Sequence, residues 1–216
     1  MLWRSASSTR SATRSLRTSS AGRGPCDLIG RRPRIVAVAI ALAVVVSFAP
    51  ARGEDASDLR RAWQICMGTD IRPRIEACSA LLERSLAASE RVAVLGSRAV
   101  ARRRLGNYAG AFADYAEALK LAPMDPFIRN NRAWAYYKSG RLEDGLADVE
   151  MALSVGGASA PWLDTRGHIL QALGRSSPAF DDYVAAMRVG GDVWVKRYQC
   201  GLRNAGVYHG EIDGRL

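Results

Sequence analysis

The stretch "LGNYAGAFADYAEALKLAP", residues 105–123, contains the pattern that decides the fold. Gly106 favours the end of a helix, because only glycine takes the left-handed backbone conformation cheaply. After it, apolar residues recur at the spacing of one helix face, at Ala111, Tyr115, Ala118 and Leu119. Pro123 then marks the link to a following helix. The stretch predicts one helix that ends near Leu105 and a second helix over 108–121.

The same pattern recurs at a fixed spacing along the chain. Gly106, Gly140 and Gly174 are evenly spaced in the sequence. Small or apolar residues share this period in four further sets: Ala99, Ala133 and Gly167; Ala111, Gly145 and Ala179; Ala118, Ala152 and Ala186; Tyr115, Val149 and Tyr183. Small residues at a helix interface let two antiparallel helices approach closely. The pattern therefore predicts one helical hairpin copied three times, each copy burying its apolar face against the next.

These repeated residues resemble the tetratricopeptide repeat (TPR), a helix–turn–helix unit of about 34 residues that stacks into a superhelix. The resemblance covers residues 92–191 and implies an all-α fold, an α-solenoid of stacked helix pairs. The expected pairs are 92–105 with 108–121, 126–139 with 142–155, and 160–173 with 176–189.

A degenerate helix pair is expected before the three full repeats, over residues 58–91. Ala77 lies one full period before Ala111, in phase with the repeat. Terminal repeats are atypical because one side faces solvent. The pair would place helices within 62–68 and 75–86 and a lengthened turn over 69–74.

The N-terminal segment 1–53 differs in composition from the repeats. Residues 1–34 contain eight arginines and one acid, and an uncharged, largely apolar stretch follows from Ile35 to Ala49. A basic segment, a short apolar core and small residues are typical of a secretory signal peptide. The apolar stretch is short for a membrane span, which needs about 20 residues. We expect cleavage after Ala51 or Gly53 and a periplasmic or secreted protein. A mitochondrial transit peptide is the alternative, and membrane contact is expected only through an uncleaved N-terminal segment.

The leader accounts for most of the positive charge. The full chain is +10, of which residues 1–53 contribute +8, so that the remaining chain is close to neutral. Basic residues interleaved with aromatic ones, as in single-strand binding proteins, are absent from the sequence. We therefore expect no nucleic-acid partner.

Cys66 and Cys78 lie on the two helices of the degenerate pair. If those helices are antiparallel, the two side chains can meet, and an oxidising compartment permits a disulfide. The segments "WQIC" and "IEACSALL" also resemble the leading part of exported bacterial TPR proteins. Two buried free thiols are the alternative. A metal site is disfavoured because no nearby histidine or CxxC motif completes a ligand set.

The C-terminal segment 192–216 carries a second resemblance. The stretch "QCGLRNAGVYHGEIDGRL" is similar to the opening of a peptidoglycan-binding module, with matches at Gln199, Leu202, Gly206, Tyr208, Gly210, Ile212, Asp213 and Gly214. The module normally continues for several more helical turns. We expect instead a helix near 192–204 that caps the last repeat, with peptidoglycan association as the alternative function.

Catalytic motifs are absent from the sequence. No phosphate-binding loop, HExxH, GxSxG or paired carboxylates occur, and His168 and His209 are the two histidines. We therefore expect a non-catalytic protein without cofactor or metal, an adaptor or scaffold.

The TPR resemblance implies that a protein or peptide partner binds the concave surface lined by the leading helix of each pair. The register assigns to this groove Arg103, Arg104, Phe127, Asn130, Trp134, Tyr137, Lys138, Asp164, His168 and Gln171. Trp134 and Tyr137 are not used by the small-residue packing, and with Lys138 they would suit apolar and acidic groups. Packing of Trp134 against a neighbouring repeat is the alternative. Of the residues that grip acidic C-termini in carboxylate-clamp TPR domains, only Asn131 is present.

Two charged series follow the period as well. Arg98, Arg132 and Arg166 recur at the repeat spacing, and so do Asp114, Asp148 and Asp182. We predict ion pairs between adjacent helices, with Asp114 to Arg132 and Asp148 to Arg166 as the preferred couples, which would join one repeat to the next. Pairing within a repeat, such as Arg132 with Asp148, is the alternative.

Overall fold

The structure is a computed structural model that describes residues 56–215. Within this range it contains nine α-helices and no strands, which confirms the expected all-α solenoid. The helices are α1 Ala56–Cys66, α2 Ile71–Leu82, α3 Ala88–Arg104, α4 Tyr108–Leu121, α5 Pro126–Lys138, α6 Leu142–Gly156, α7 Ala160–Ala172, α8 Ser176–Gly190 and α9 Asp192–Asn204. Predicted signal-peptide residues 1–53 lie outside the described range.

Successive helices pack as hairpins, and α3 with α4, α5 with α6, and α7 with α8 form the three full repeats. The leading helices also contact one another in succession, α1 with α3, α3 with α5, and α5 with α7. They therefore form one layer along the solenoid, and the trailing helices α4, α6 and α8 form the other.

The predicted long turn over 69–74 is wrong. Helix α2 begins at Ile71, so the turn occupies only residues 67–70. Pro73 suggested a turn, but the first turn of a helix accepts proline because its backbone N–H groups have no helical acceptor.

Four helices end on a glycine with the same geometry. Gly106, Gly140, Gly174 and Gly206 have φ between 75° and 82°. The next residue donates its N–H to a carbonyl five residues back, from Asn107 to Arg102 and equivalently in the other three. This is the Schellman arrangement, which needs a left-handed residue. The expected capping helix 192–204 forms as α9 and ends in the same way as the leading helices before it.

A disulfide joins α1 to α2. The Cα atoms of Cys66 and Cys78 lie 4.8 Å apart, and both side chains are fully buried. The Cys66 carbonyl accepts a hydrogen bond from Ser97 Oγ on α3, which in turn accepts one from Arg74 Nε at 2.8 Å. The bridge closes the first hairpin, and the two hydrogen bonds of Ser97 fasten that hairpin to the first full repeat.

The repeated arginines and aspartates pair within each repeat, so the preferred couples Asp114 to Arg132 and Asp148 to Arg166 are wrong. The alternative, Arg132 with Asp148, is correct, with contacts of 2.5 and 2.8 Å. The other two repeats have the same bidentate pair, Arg98 with Asp114 and Arg166 with Asp182.

The turn explains this choice of partners. Arg98 and Asp114 each lie eight residues from Gly106, and the pairs around Gly140 and Gly174 have the same offsets. In an antiparallel hairpin, residues at equal distance from the turn face each other. The glycine that ends the leading helix therefore also sets the register of the ion pair.

Candidate functional site

A row of aromatic side chains runs across the leading helices of the C-terminal half. Trp134 and Tyr137 on α5 lie with ring centroids 5.1 Å apart, and each approaches the His168 ring of α7, at 5.3 and 5.8 Å. The row continues from His168 to Tyr183 at 5.4 Å and from there to Tyr198 of α9 at 5.6 Å. All five rings are half-buried, so that each keeps an exposed part. We call these five residues the aromatic row.

Three residues predicted for the groove are thus brought together: Trp134, Tyr137 and His168. The alternative prediction for Trp134, packing against a neighbouring repeat, agrees with its contact with His168, and partner binding at these residues stays a prediction. The Trp134 side chain therefore packs between two repeats and keeps an exposed part.

Asp164 is a buried carboxylate beneath the row. It accepts a hydrogen bond from the Tyr198 hydroxyl at 2.5 Å, and its Oδ1 lies 3.6 Å from His168 Nε2. Arg197 of α9 approaches its other oxygen at 3.9 Å. A charge this far from water needs such partners. Asp164 therefore ties α7 to α9 rather than facing solvent.

His168 is held in its neutral form at pH 7. Burial lowers its pKa below the ordinary value of 6.5, and the positive charges of Arg197 and Lys138 lower it further. Asp164 acts in the opposite direction but does not reverse the shift. The imidazole therefore joins the row as an uncharged ring.

Tyr183 reaches the row from the trailing helix α8. Its hydroxyl donates to Gln171 Oε1 at 2.8 Å and lies 3.2 Å from His168 Nδ1. Gly167 makes the approach possible, because a Cβ there would lie 2.6 Å from a ring carbon of Tyr183. Burial raises the pKa of Tyr183 to about 12, so the phenol stays protonated.

The interface between the two helix layers has a different chemistry in the N-terminal part of the solenoid. Tyr115, at the register position of Tyr183, is fully buried, and its hydroxyl lies near the Arg103 guanidinium without a hydrogen bond of ordinary geometry within residues 56–215. Burial raises its pKa to about 12, with the neighbouring Arg103 guanidinium acting against the shift. Arg103 Nε and Asn130 Oδ1 are likewise buried without a described partner.

The remaining predicted residues lie at helix ends and are more exposed. Arg104 and Lys138 are the last residues of α3 and α5, and Lys138 Nζ lies 5.7 Å from the Tyr137 ring centroid. Phe127 near the start of α5 is 67% exposed and meets the Trp162 ring edge-on at 5.6 Å. These residues do not join the aromatic row.

Sequence reasoning does not assign four residues of this region to the groove: Tyr183, Tyr198, Trp194 and Arg197. The repeat pattern gives Tyr183 only a packing role and α9 only a capping role. The sequence feature that could have pointed to Tyr183 and Tyr198 is the tyrosine side chain itself, because a buried tyrosine hydroxyl needs a hydrogen-bond partner. Arg197 lies 4.8 Å from the Trp194 ring centroid and adds a cation to this end of the layer.

The described residues of this region present a surface suited to recognition. Within 56–215, no cluster of three or more metal-ligating side chains occurs. No helix in this range has both the length and the apolar content to cross a bilayer. What the site presents is aromatic area, three amphipathic phenols and cationic groups beside it.

Comparison with known proteins bears on the repeat. No family model matches the chain. A stretch of 45 residues, 21% of the chain, is 49% identical to part of the TPR repeat-containing thioredoxin TTL4 of Arabidopsis thaliana. The stretch covers 7% of that protein's length. This local likeness agrees with the helical hairpins described above and supports TPR-like character in the chain.

Proposed function

We propose that this protein is a non-catalytic, periplasmic TPR adaptor that binds a segment of a protein partner along its leading helices. The aromatic row is the observation that supports this proposal. Its rings lie side by side on helices of successive repeats, and each ring keeps an exposed part. Large, rigid aromatic side chains of this kind dominate protein recognition, because they offer contact area at a low cost in conformational entropy.

The chemistry beside the row defines the partner segment. Lys138 and Arg197 place positive charge near His168, which is itself neutral. A segment with apolar or aromatic side chains and an acidic group would use both features, by stacking on the rings and pairing with the cations. The TPR-like character of the chain agrees with protein binding in general.

Site-specific photo-crosslinking tests the groove. A benzophenone amino acid at Tyr137 should give a discrete adduct in cell-envelope extract, and Trp134→Ala should reduce its yield. The matched control places the same amino acid at Glu150, which is exposed on the trailing helix α6. Equal adducts at both positions, or none at Tyr137, would contradict the proposal.

Peptidoglycan association is the second candidate function. In the structure, residues of the C-terminal stretch that resembles a peptidoglycan-binding module bind one another. Gln199 Nε2 donates to Asp213 Oδ1 and to the carbonyl of Arg215, and its Oε1 accepts from the N–H of Gly214. These bonds fold the tail back on α9. Co-sedimentation with purified peptidoglycan that is lost in Gln199→Ala but kept in Trp134→Ala would favour this second candidate over the groove.

Export is the part of the proposal that concerns residues 1–53. The mature N-terminus should lie near Glu54, and N-terminal sequencing of the protein from its native host checks this. An intact Met1 in a soluble cytoplasmic product would refute export. The Cys66–Cys78 bridge agrees with an oxidising compartment.

A further inference from the structure

One face of helix α8 carries a surface that the proposed groove does not use. An open depression of about 450 Å³ lies there, lined by Phe180, Asp181, Val184, Ala185, Arg188 and Val189. Phe180 is 66% exposed and Val189 is 52% exposed. We call these six residues the α8 face.

The corresponding position is covered in the repeats before it. Phe112, two repeats earlier in the same register, stacks on Tyr136 of the next leading helix at 4.6 Å. Leu146, one repeat earlier, is partly buried against the second core cluster. Phe180 has no such cover, and a single residue, Gly191, separates α8 from α9. The α8 face is therefore an apolar surface that the solenoid leaves open.

Two opposite charges flank the apolar centre of this face. Asp181 and Arg188 are exposed, and neither side chain makes a hydrogen bond or ion pair with another described residue. They are seven residues apart, about 10 Å along the helix, too far to pair with each other. A single α8 face therefore contains two opposite charges that are not paired with each other.

Two copies of this face match each other when the helices run antiparallel. When two copies of α8 pack antiparallel about a two-fold axis between residues 184 and 185, Asp181 faces Arg188 of the other copy. Phe180 then faces Val189, and Val184 faces Ala185. Each contact of this kind occurs twice, as an isologous interface requires. The small Ala185 at the centre lets the two helices approach closely.

The other trailing helices lack this complementarity. On α6 the positions of Asp181 and Arg188 are Ala147 and Ser154, and on α4 they are Ala113 and Lys120. Neither helix has opposite charges at both positions. We propose that the α8 face is a homodimer interface, in which two copies of this chain pack their α8 helices antiparallel around Asp181–Arg188 pairs.

Charge reversal tests the proposal on the full chain. Sedimentation velocity of the wild type should give a mass approaching twice 23.4 kDa as concentration rises. Arg188→Asp creates two like-charge contacts by symmetry and should weaken dimerisation at least about tenfold. Asp181→Arg should do the same. The double variant Asp181→Arg/Arg188→Asp restores opposite charges and should recover the dimer.

Matched controls separate the interface from the fold. Ser154→Asp is the equivalent of Arg188→Asp on α6, at an exposed position, and should leave the dimer unchanged. Far-UV circular dichroism should show all variants equally helical. A wild type that stays monomeric would overturn the proposal, as would a dimer insensitive to Arg188→Asp. A double variant that does not recover dimerisation would overturn the proposal as well. In that case Asp181 and Arg188 would not pair with each other across two copies of α8.

Discussion

The Arg166–Asp182 pair of the third repeat offers the sharpest test of what stabilises the solenoid. Asp182 is 4% exposed and takes two hydrogen bonds of 2.7 Å from Arg166. Among the described residues, no second arginine reaches it. Asp114 in the first repeat differs, because Arg102 adds contacts of 2.9 Å to both of its oxygens beside those of Arg98. The two repeats therefore differ in whether the buried carboxylate has a second cationic partner.

Methionine in place of each arginine removes the charge and keeps most of the apolar stem. Arg166→Met leaves Asp182 buried without a cationic partner, and breaking such a pair costs about 3–5 kcal/mol. Because the Arg166 side chain is 31% exposed, water can partly replace it, so we expect about 3 kcal/mol. Arg98→Met leaves Asp114 paired with Arg102 but also removes the Arg98 hydrogen bond to Ser79 Oγ, so it should cost about 1–2 kcal/mol, less than Arg166→Met.

The cycle is completed by Asp182→Ala and by the double variant Arg166→Met/Asp182→Ala. The double variant lacks the isolated carboxylate, so it should be more stable than Arg166→Met alone. Urea unfolding followed by circular dichroism gives the free energies, provided that the m-value stays constant across the set. A coupling energy of at least about 1 kcal/mol is expected for residues in direct contact.

Two results would refute this reasoning. The first is that Arg166→Met lowers the free energy of unfolding no more than Arg98→Met does. Arg102 would then not compensate for the loss of Arg98 beside Asp114. The second is additive costs in the cycle, which would mean that the recurring pairs are independent solvated charges.

Three further predictions concern packing where the leading and trailing helices meet. Tyr115→Phe removes a buried hydroxyl that makes no ordinary hydrogen bond within residues 56–215, so the free energy of unfolding should stay the same or rise. Tyr183→Phe loses two hydrogen bonds and should lower the free energy of unfolding by about 1 kcal/mol. Urea unfolding measures both. Gly167→Ala would place a Cβ 2.6 Å from a neighbouring ring and should cost about 1–3 kcal/mol. Gly201→Ala, a control in the last turn of α9 with open space around it, should be neutral or gain up to about 1 kcal/mol. His168 has a lowered pKa in the folded chain, so the unfolded chain takes up the proton first, and the free energy of unfolding should fall as pH drops below about 6.5. His168→Gln should flatten that decline, and an unchanged pH profile would contradict the assignment.

The sequence was sufficient for the positions of the helices, because the repeat gives several independent markers per unit. Gly106 and its equivalents mark the end of each leading helix, and the small residues mark the faces in contact. Helix α3 nevertheless begins at Ala88, four residues before its expected start. The period could not supply this boundary, since the extension lies in the degenerate region before the first full repeat.

The choice of ion pairs required the hairpin geometry in addition to the period. A spacing of one repeat length fits pairing within and between repeats equally well. The distance of each residue from Gly106 separates the two, because an antiparallel hairpin opposes residues at equal offsets from its turn. That information was present in the sequence and decides the partner.

The candidate site was harder to predict, because its members come from helices with different roles. Trp134 and His168 lie at leading-helix positions and could be assigned by register. Tyr183 lies on a trailing helix and reaches the row only because Gly167 leaves room for its ring. Tyr198 belongs to α9, which is outside the full repeats. A register taken from the repeat alone cannot place side chains that cross between layers.

The two proposed surfaces have only helix α8 in common, and this separation makes them testable independently. The aromatic row lies mainly on leading helices and takes Tyr183 from α8, whereas the α8 face consists of other residues of that helix. A dimer formed through α8 would leave the row of each copy open, so that one dimer offers two equivalent binding sites. Two linked sites raise the avidity for a partner that is itself dimeric or repetitive, without any new contact. Arg188→Asp should therefore keep the crosslink at Tyr137 with a monomeric partner segment and weaken binding only to a multivalent one. Trp134→Ala should weaken both, and loss of all crosslinking in Arg188→Asp would show that the two surfaces are not separate.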